Sequence, residues 1–187
     1  MGKVRRMSRR GISVVGIVVA VVVGVVAWRL VTAPDLSPVP PVAQGPYLCD
    51  GVPREGAELI LGGAVEVTRN VGDWGSDERS FACIIERGEG LITVYEEPIE
   101  RSYPTVALWA DHNEGMEWFD VDAPGQGYVT LDDPGVAEWA CGNRLVRVVI
   151  SSIAPGRDKK ADVITYLTSM LPWACGDTEP PDADTSS

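Results

Sequence analysis

The stretch Ser80-Phe81-Ala82-Cys83-Ile84-Ile85-Glu86-Arg87-Gly88-Glu89-Gly90-Leu91-Ile92-Thr93-Val94-Tyr95-Glu96-Glu97 reads as two strands and the turn between them. β-Branched and aromatic residues crowd both sides of Gly88-Glu89-Gly90, and a short glycine-bearing break between two such runs signals a hairpin. Working outward, Ala64 to Arg69 reads as a strand before it. Gly127 to Leu131, Val136 to Cys141 and Leu145 to Ser152 read as three more after it, with Cys141 to Arg144 a tight turn. Two helices flank these strands. The first follows Pro53 at a first helical position, carries Ala57, Leu59, Ile60 and Leu61, and stops at Gly62-Gly63. The second runs from Asp158, its N-cap, to Leu171, with Ala161, Ile164, Leu167, Met170 and Leu171 at helical spacing and Pro172 as terminator. Residues 98–125 show no clear period. The expected class is α+β, with an antiparallel sheet and helices packed on one of its faces.

Charge divides the chain unevenly. Its 187 residues hold 27 Asp and Glu against 16 Lys and Arg, a net charge of −11. Lys3, Arg5, Arg6, Arg9, Arg10 and Arg29 lie near the start, and every acidic residue stands at Asp35 or later, so residues 34–187 set ten positive charges against all 27 negative ones. A surface of that sign repels phosphate backbones and anionic head groups, which excludes nucleic acid as a partner. Between the basic start and the acidic remainder, Ile12 to Val31 is Val-rich and almost uncharged. At 1.5 Å per residue it reaches about 30 Å, the thickness of a hydrocarbon core. It is read as a transmembrane helix with the N-terminus in the cytoplasm by the positive-inside rule; Pro34 opposes cleavage after Val31-Thr32-Ala33, and secretion after cleavage is the alternative. The plasma membrane is then the first partner. Gly16, Ala20 and Gly24 form a small-residue stripe on one helix face, the geometry of close helix pairing and hence of a homodimer.

The resulting organisation is a cytoplasmic basic segment 1–11, a transmembrane helix 12–31, a Pro-rich linker 32–47, an extracytoplasmic domain 48–175 and a disordered acidic tail 176–187. Pro34, Pro38, Pro40, Pro41 and Pro46 make the linker an extended spacer.

Four cysteines outside a membrane, with no C-x-x-C pair, point to two disulfides rather than zinc. Among three connectivities the equal separations of 34 residues favour Cys49 with Cys83 and Cys141 with Cys175. Trp139-Ala140-Cys141-Gly142 recurs as Trp173-Ala174-Cys175-Gly176, a repeat read as rings packing on sulfur. Cys49-Asp50 before a short helix, Arg79-Ser80-Phe81-Ala82-Cys83 entering a strand, Leu145-Val146-Arg147-Val148-Val149-Ile150 late in the chain and a closing helix with Ala161-Asp162-Val163 together resemble the actinobacterial family of small envelope lipoproteins of unknown function. The resemblance spans about residues 49–171. It implies an extracytoplasmic α+β domain with a disulfide in the first cysteine pair and no catalytic residues. This chain departs from the family in having a spanning segment where a lipid-bearing cysteine usually stands, and in its second cysteine pair.

No motif nominates a reaction. His112, the sole histidine, sits in Ala110-Asp111-His112-Asn113-Glu114, where Asp111 or Glu114 would orient it in a small hydrolase or metal-dependent enzyme. No nucleophile elbow accompanies it, and Walker, dinucleotide and HExxH patterns are absent. Asp120-Val121-Asp122 and Asp132-Asp133 lack the spacing of a calcium loop. The reading therefore expects no catalytic, cofactor-binding or metal-binding residues and no cofactor. It expects a non-catalytic, membrane-anchored module that binds another envelope component or a small ligand. Its expected interaction surface is Trp109, His112, Met116, Trp118 and Phe119, a cluster of rings and a thioether among polar residues. A scaffold dimerising through the Gly16, Ala20, Gly24 stripe is the remaining alternative.

Overall fold

β-Branched and aromatic residues favour strands, and they recur through residues 81–95, 128–130 and 136–150. A computed structural model describes residues 35–76, 80–99, 115–130, 132, 134–176 and 178–183, together with Val19. The chain divides into two units, 1–34 and 35–187, and every element below belongs to the second. In order these are β1 (Tyr47–Cys49), β2 (Val52–Pro53), α1 (Arg54–Leu61), β3 (Glu66–Val71), β4 (Phe81–Arg87), β5 (Gly90–Pro98), β6 (Met116–Phe119), β7 (Gln126–Thr130), β8 (Gly135–Cys141), β9 (Arg144–Ser151) and α2 (Lys159–Ala174).

β1 and β2 pair with each other, and the other seven strands form one antiparallel sheet in the order β3-β4-β5-β9-β8-β7-β6. Two meanders, β3 to β5 and β6 to β9, join where β5 pairs with β9 from Leu91↔Ser151 to Pro98↔Arg144. The hairpins β4–β5 and β8–β9 turn in two residues each, with Gly88 and Gly142 first in the turn at φ 59°. That conformation matches the right-handed twist of the flanking strands and suits a residue without Cβ.

Alternation gives the sheet two faces, a closed one packed by both described helices and one, called open below, on which neither described helix lies, though Tyr128, Glu138 and Leu145 are buried there. Ile85, Ile92, Val94, Ala137, Trp139, Val146, Val148 and Ile150 are buried on the closed face. Against them lie Ala57, Ile60 and Leu61 of α1 and Val163, Tyr166, Leu167 and Met170 of α2. Asp158 caps α2 by accepting from the Ala161 amide at 3.1 Å, and the wholly buried Tyr166 hydroxyl donates to the Pro53 carbonyl at 3.0 Å, tying α2 to the start of α1.

The disulfides are Cys49–Cys83 and Cys141–Cys175. The first joins the chain before α1 to β4, and the second joins the end of β8 to the end of α2. The two Trp-Ala-Cys-Gly copies are thus bonded to each other, one on a strand and one at a helix end. Two disulfides are the chemistry of an oxidising, extracytoplasmic compartment.

Several expectations need correction. The expected class, α+β with an N-terminal transmembrane helix, is corrected: the described chain is mostly β, one seven-stranded antiparallel sheet with two helices, and no helix among the described residues is long and apolar enough to cross a membrane. The longer, α2, has 16 residues, about 24 Å, and bears Lys159, Lys160 and Asp162. The segment 12–31, with Gly16, Ala20 and Gly24, lies outside the described residues apart from Val19. Pro53 is the N-cap of α1 rather than its first helical residue, and α2 continues through Pro172 to Ala174.

The Pro-rich segment from Asp35 is not a free spacer either. Val39 is buried in the core, and the Arg157 guanidinium donates to the Asp35 and Ser37 carbonyls at 2.8 and 3.0 Å. Arg157 also makes a two-point contact with Asp162 at 2.6 and 2.8 Å, with both side chains almost wholly buried. Part of the acidic tail is likewise docked: the Gly51 amide donates to the Pro181 carbonyl at 2.7 Å, and the Ala183 amide to Asp50 Oδ1 at 2.9 Å.

Changing Arg157 to Ala strands a buried carboxylate and should cost about 3–5 kcal/mol. Urea unfolding should show that loss, with faster proteolysis within residues 35–47. An unshifted midpoint would refute the clamp.

Candidate functional site

The open face is organised by register. Trp118 on β6 stands opposite Tyr128 on β7, Tyr128 opposite Glu138 on β8, Glu138 opposite Arg147 on β9, and Arg147 opposite Tyr95 on β5. Tyr95 in turn faces Ala82 on β4 and Ala82 faces Val71 on β3, so one line of side chains crosses all seven strands. Four strand spacings separate Trp118 from Tyr95, about 19 Å.

Chemistry concentrates in the middle of this line. The Tyr128 hydroxyl donates to Glu138 Oε2, and Arg147 Nε donates to Glu138 Oε1. Glu138 is 5% exposed, and a buried carboxylate of this kind is tolerated because a cation and a hydroxyl satisfy it. Arg147 keeps 36% of its side chain in solvent, so the pair is buried on one side only. Burial, reinforced by the hydrogen bond to Glu138 and its charge, pushes the Tyr128 phenol well above the ordinary tyrosine range, against a smaller opposing effect of Arg147. Burial alone does the same to Tyr166.

Apolar residues surround the polar centre. Leu145 and Tyr128 are buried, with Ile99, Met116 and Ala140 packed on them. The Trp118 ring meets Tyr128 edge-on, at 6.5 Å between centroids and 77° between planes, yet stays 54% exposed. Alongside runs a second line, Met116, Thr130, Val136, Val149, Thr93 and Ile84, set by the same pairings. The face offers an exposed ring, a half-exposed guanidinium and aliphatic surface.

The expected interaction surface is divided by this geometry. Met116 and Trp118 lie on the open face, in a regular edge strand rather than an irregular segment. Phe119 points the other way, to the closed face, with its ring 5.5 Å from that of Trp139. Glu117 shares that side and accepts from Lys160 Nζ of α2. Alternation in β6 is the cause, since neighbouring residues on a strand face opposite ways. Trp109 and His112 lie outside the described residues, as do Asp111 and Glu114. Among the described residues no group of three or more His, Cys, Asp or Glu could hold a metal ion. Tyr95, Glu138 and Arg147 escaped the sequence reading, because only the strand order β5-β9-β8 brings them into line.

One open cavity of about 280 Å³ lies beside α2, lined by Leu36, Pro38, Val39, Ala161 and Thr165 around the Arg157–Asp162 pair. That pair is turned inward on itself and on the Asp35 and Ser37 carbonyls, so it offers a ligand little polar purchase.

Comparison with protein-family models, with curated proteins and with solved structures finds no match.

Alkaline titration tests the Tyr128 environment. The unfolded chain loses phenol protons near pH 10 while Tyr128 and Tyr166 hold theirs in the fold, so stability is complete below about pH 10 and declines above it. Of the chain's five tyrosines, these two should ionise only on unfolding, seen as a late step in ultraviolet absorbance. Tyr128→Phe should remove one late proton and lessen the alkaline loss; an early-titrating Tyr128 would contradict the assigned contacts.

Proposed function

We propose that this protein is a non-catalytic binding module of the extracytoplasmic space, which takes another envelope component or a small ligand on the open face of its sheet. The observation that carries the reading is the line Trp118–Tyr128–Glu138–Arg147–Tyr95, where an exposed ring and a half-exposed guanidinium sit on a rigid, aliphatic platform. Large aromatic rings and arginine are the side chains that most often dominate binding energy at interfaces. The two disulfides support the compartment. The acidic surface argues against nucleic acid and favours a neutral or cationic partner. The resemblance to small actinobacterial envelope lipoproteins belongs to the same proposal.

The edges of the sheet argue that association uses the face. β6 is only four residues long. β3 carries a bulge between Val67 and Arg69 and charged side chains at Glu66 and Arg69. Short, bulged and charged edges resist the addition of a further strand.

Photocrosslinking in intact cells tests the proposal. A photoreactive residue at position 118 or 95 should give a discrete adduct that one at the opposite, helix-covered side, such as position 164, does not. Trp118→Ala and Arg147→Ala should each weaken the adduct tenfold or more, on the order of 1.4 kcal/mol or above. Equal labelling from both sides, or none from the open face, would overturn the assignment.

A further inference from the structure

The two disulfides differ in access. Cys49 and Cys83 are wholly buried. Cys141 is 6% exposed, and Cys175 is half-buried at the C-cap of α2. The end of α2 around Cys175 is also weakly held. Pro172 lies within the last turn and brings no N–H for the Thr168 carbonyl. Trp173 Nε1 is buried with no hydrogen-bond partner among the described residues. The Trp173 ring fits only because residue 51 is glycine, where a Cβ would stand 2.4 Å from Nε1. Beyond the helix the chain returns to that same turn through the Gly51 amide to Pro181 and the Ala183 amide to Asp50, with Thr178 Oγ1 donating to the Pro172 carbonyl at 2.6 Å.

We infer that Cys141–Cys175 is a thiol–disulfide exchange site whose opening by an extracytoplasmic dithiol frees the end of α2 and the C-terminal segment from the Asp50–Gly51 turn, while Cys49–Cys83 keeps the sheet folded. A thiolate of the dithiol attacks Cys175 Sγ, on the more exposed residue of the pair. A new S–S bond forms there, the bond to Cys141 breaks, and Cys141 leaves as a thiolate that then takes a proton. The second thiol of the dithiol attacks the mixed disulfide and releases Cys175. Two electrons pass from dithiol to protein, leaving one protein dithiol and one oxidised reagent. Loss of this staple removes the covalent tie between α2 and β8. The last turn, already short of one backbone bond, then frays and carries residues 178–183 with it.

The test uses the full chain and dithiothreitol, with alkylation and mass spectrometry to read each cysteine. Cys141 and Cys175 should be alkylated at least roughly tenfold faster than Cys49 and Cys83. In the singly reduced protein, hydrogen exchange should quicken at the amides of Gly51, Cys175 and Ala183, whose bonds to Pro181, Leu171 and Asp50 are lost. Amides of β5 and β9 should stay protected. The double variant C141A/C175A should reproduce that exchange pattern without reductant. Simultaneous opening of both disulfides, prior opening of Cys49–Cys83, unchanged exchange at the three reporters after selective reduction, or global unfolding on that reduction would each overturn the inference.

Discussion

The pairing of β5 with β9 is the constraint from which the rest follows. Eight residue pairs, Leu91↔Ser151 to Pro98↔Arg144, bind two meanders that are otherwise separate in sequence. Strand side chains alternate, so a slip of one residue here would send Val146, Val148 and Ile150 to the open face and bring Arg147 into the core. The cost of burying a guanidinium without Glu138 specifies the register as firmly as the aliphatic core does. Once β9 is placed, β8 follows through a two-residue turn and β7 through Gly127↔Trp139, where any Cβ on residue 127 would meet the Trp139 ring at 2.5 Å.

The helices depend on the sheet rather than the reverse. α1 has eight residues and would be marginal alone, since isolated helices of that length scarcely form in water. It persists because Ala57, Ile60 and Leu61 are buried and because Cys49, five residues before its start, is bonded to Cys83 in β4. Each 34-residue closure contributes on the order of 3 to 4 kcal/mol in the chain-entropy picture, a large part of what a domain this size has. At the Glu96 end of the sheet the wholly buried carboxylate accepts from Arg144 and from the Gly75 amide, which pins the loop after β3. Trp74 stacks on Phe81 there, 4.2 Å between centroids.

Local chemistry was legible in the sequence where it acts over a few residues. The β4–β5 turn, the Asp158 cap, the Gly62 stop and the cysteine spacing all report on near neighbours or on simple loop closure. What escaped depended on partners far along the chain. β6 looks irregular by itself, because four residues are too few to show a period, and it is a strand only through its pairing with β7. Pro172 should end a helix by its own rules, yet α2 continues to Ala174, with Cys175 fixed beyond it by its bond to Cys141. Val39 and Arg157 lie more than a hundred residues apart, so proline content made residues 35–47 look like a spacer when the burial of Val39 and two guanidinium contacts, to the Asp35 and Ser37 carbonyls, dock them. The line on the open face is the same case at larger scale. Tyr128, Glu138 and Arg147 each look like an isolated polar residue in an apolar strand, and only the strand order makes them a unit.

That unit also explains why the open face is not simply apolar. A sheet covered by helices on one side and left fully aliphatic on the other would stack with any similar surface it met. The Glu138–Arg147 pair, with Tyr128 locked to it, sets a fixed charge pattern in the middle of the aliphatic strip. A surface seated over it has to leave the Arg147 head solvated or supply an acceptor for it, because a covered guanidinium with unmet donors costs more than the added aliphatic contact returns. Trp118, at the edge and half in water, carries no such condition and gives contact area at little entropic loss. In the proposed binding module selectivity is assigned to Arg147 and Glu138 and adhesion to Trp118, which the strand order β6-β7-β8-β9 sets along one line.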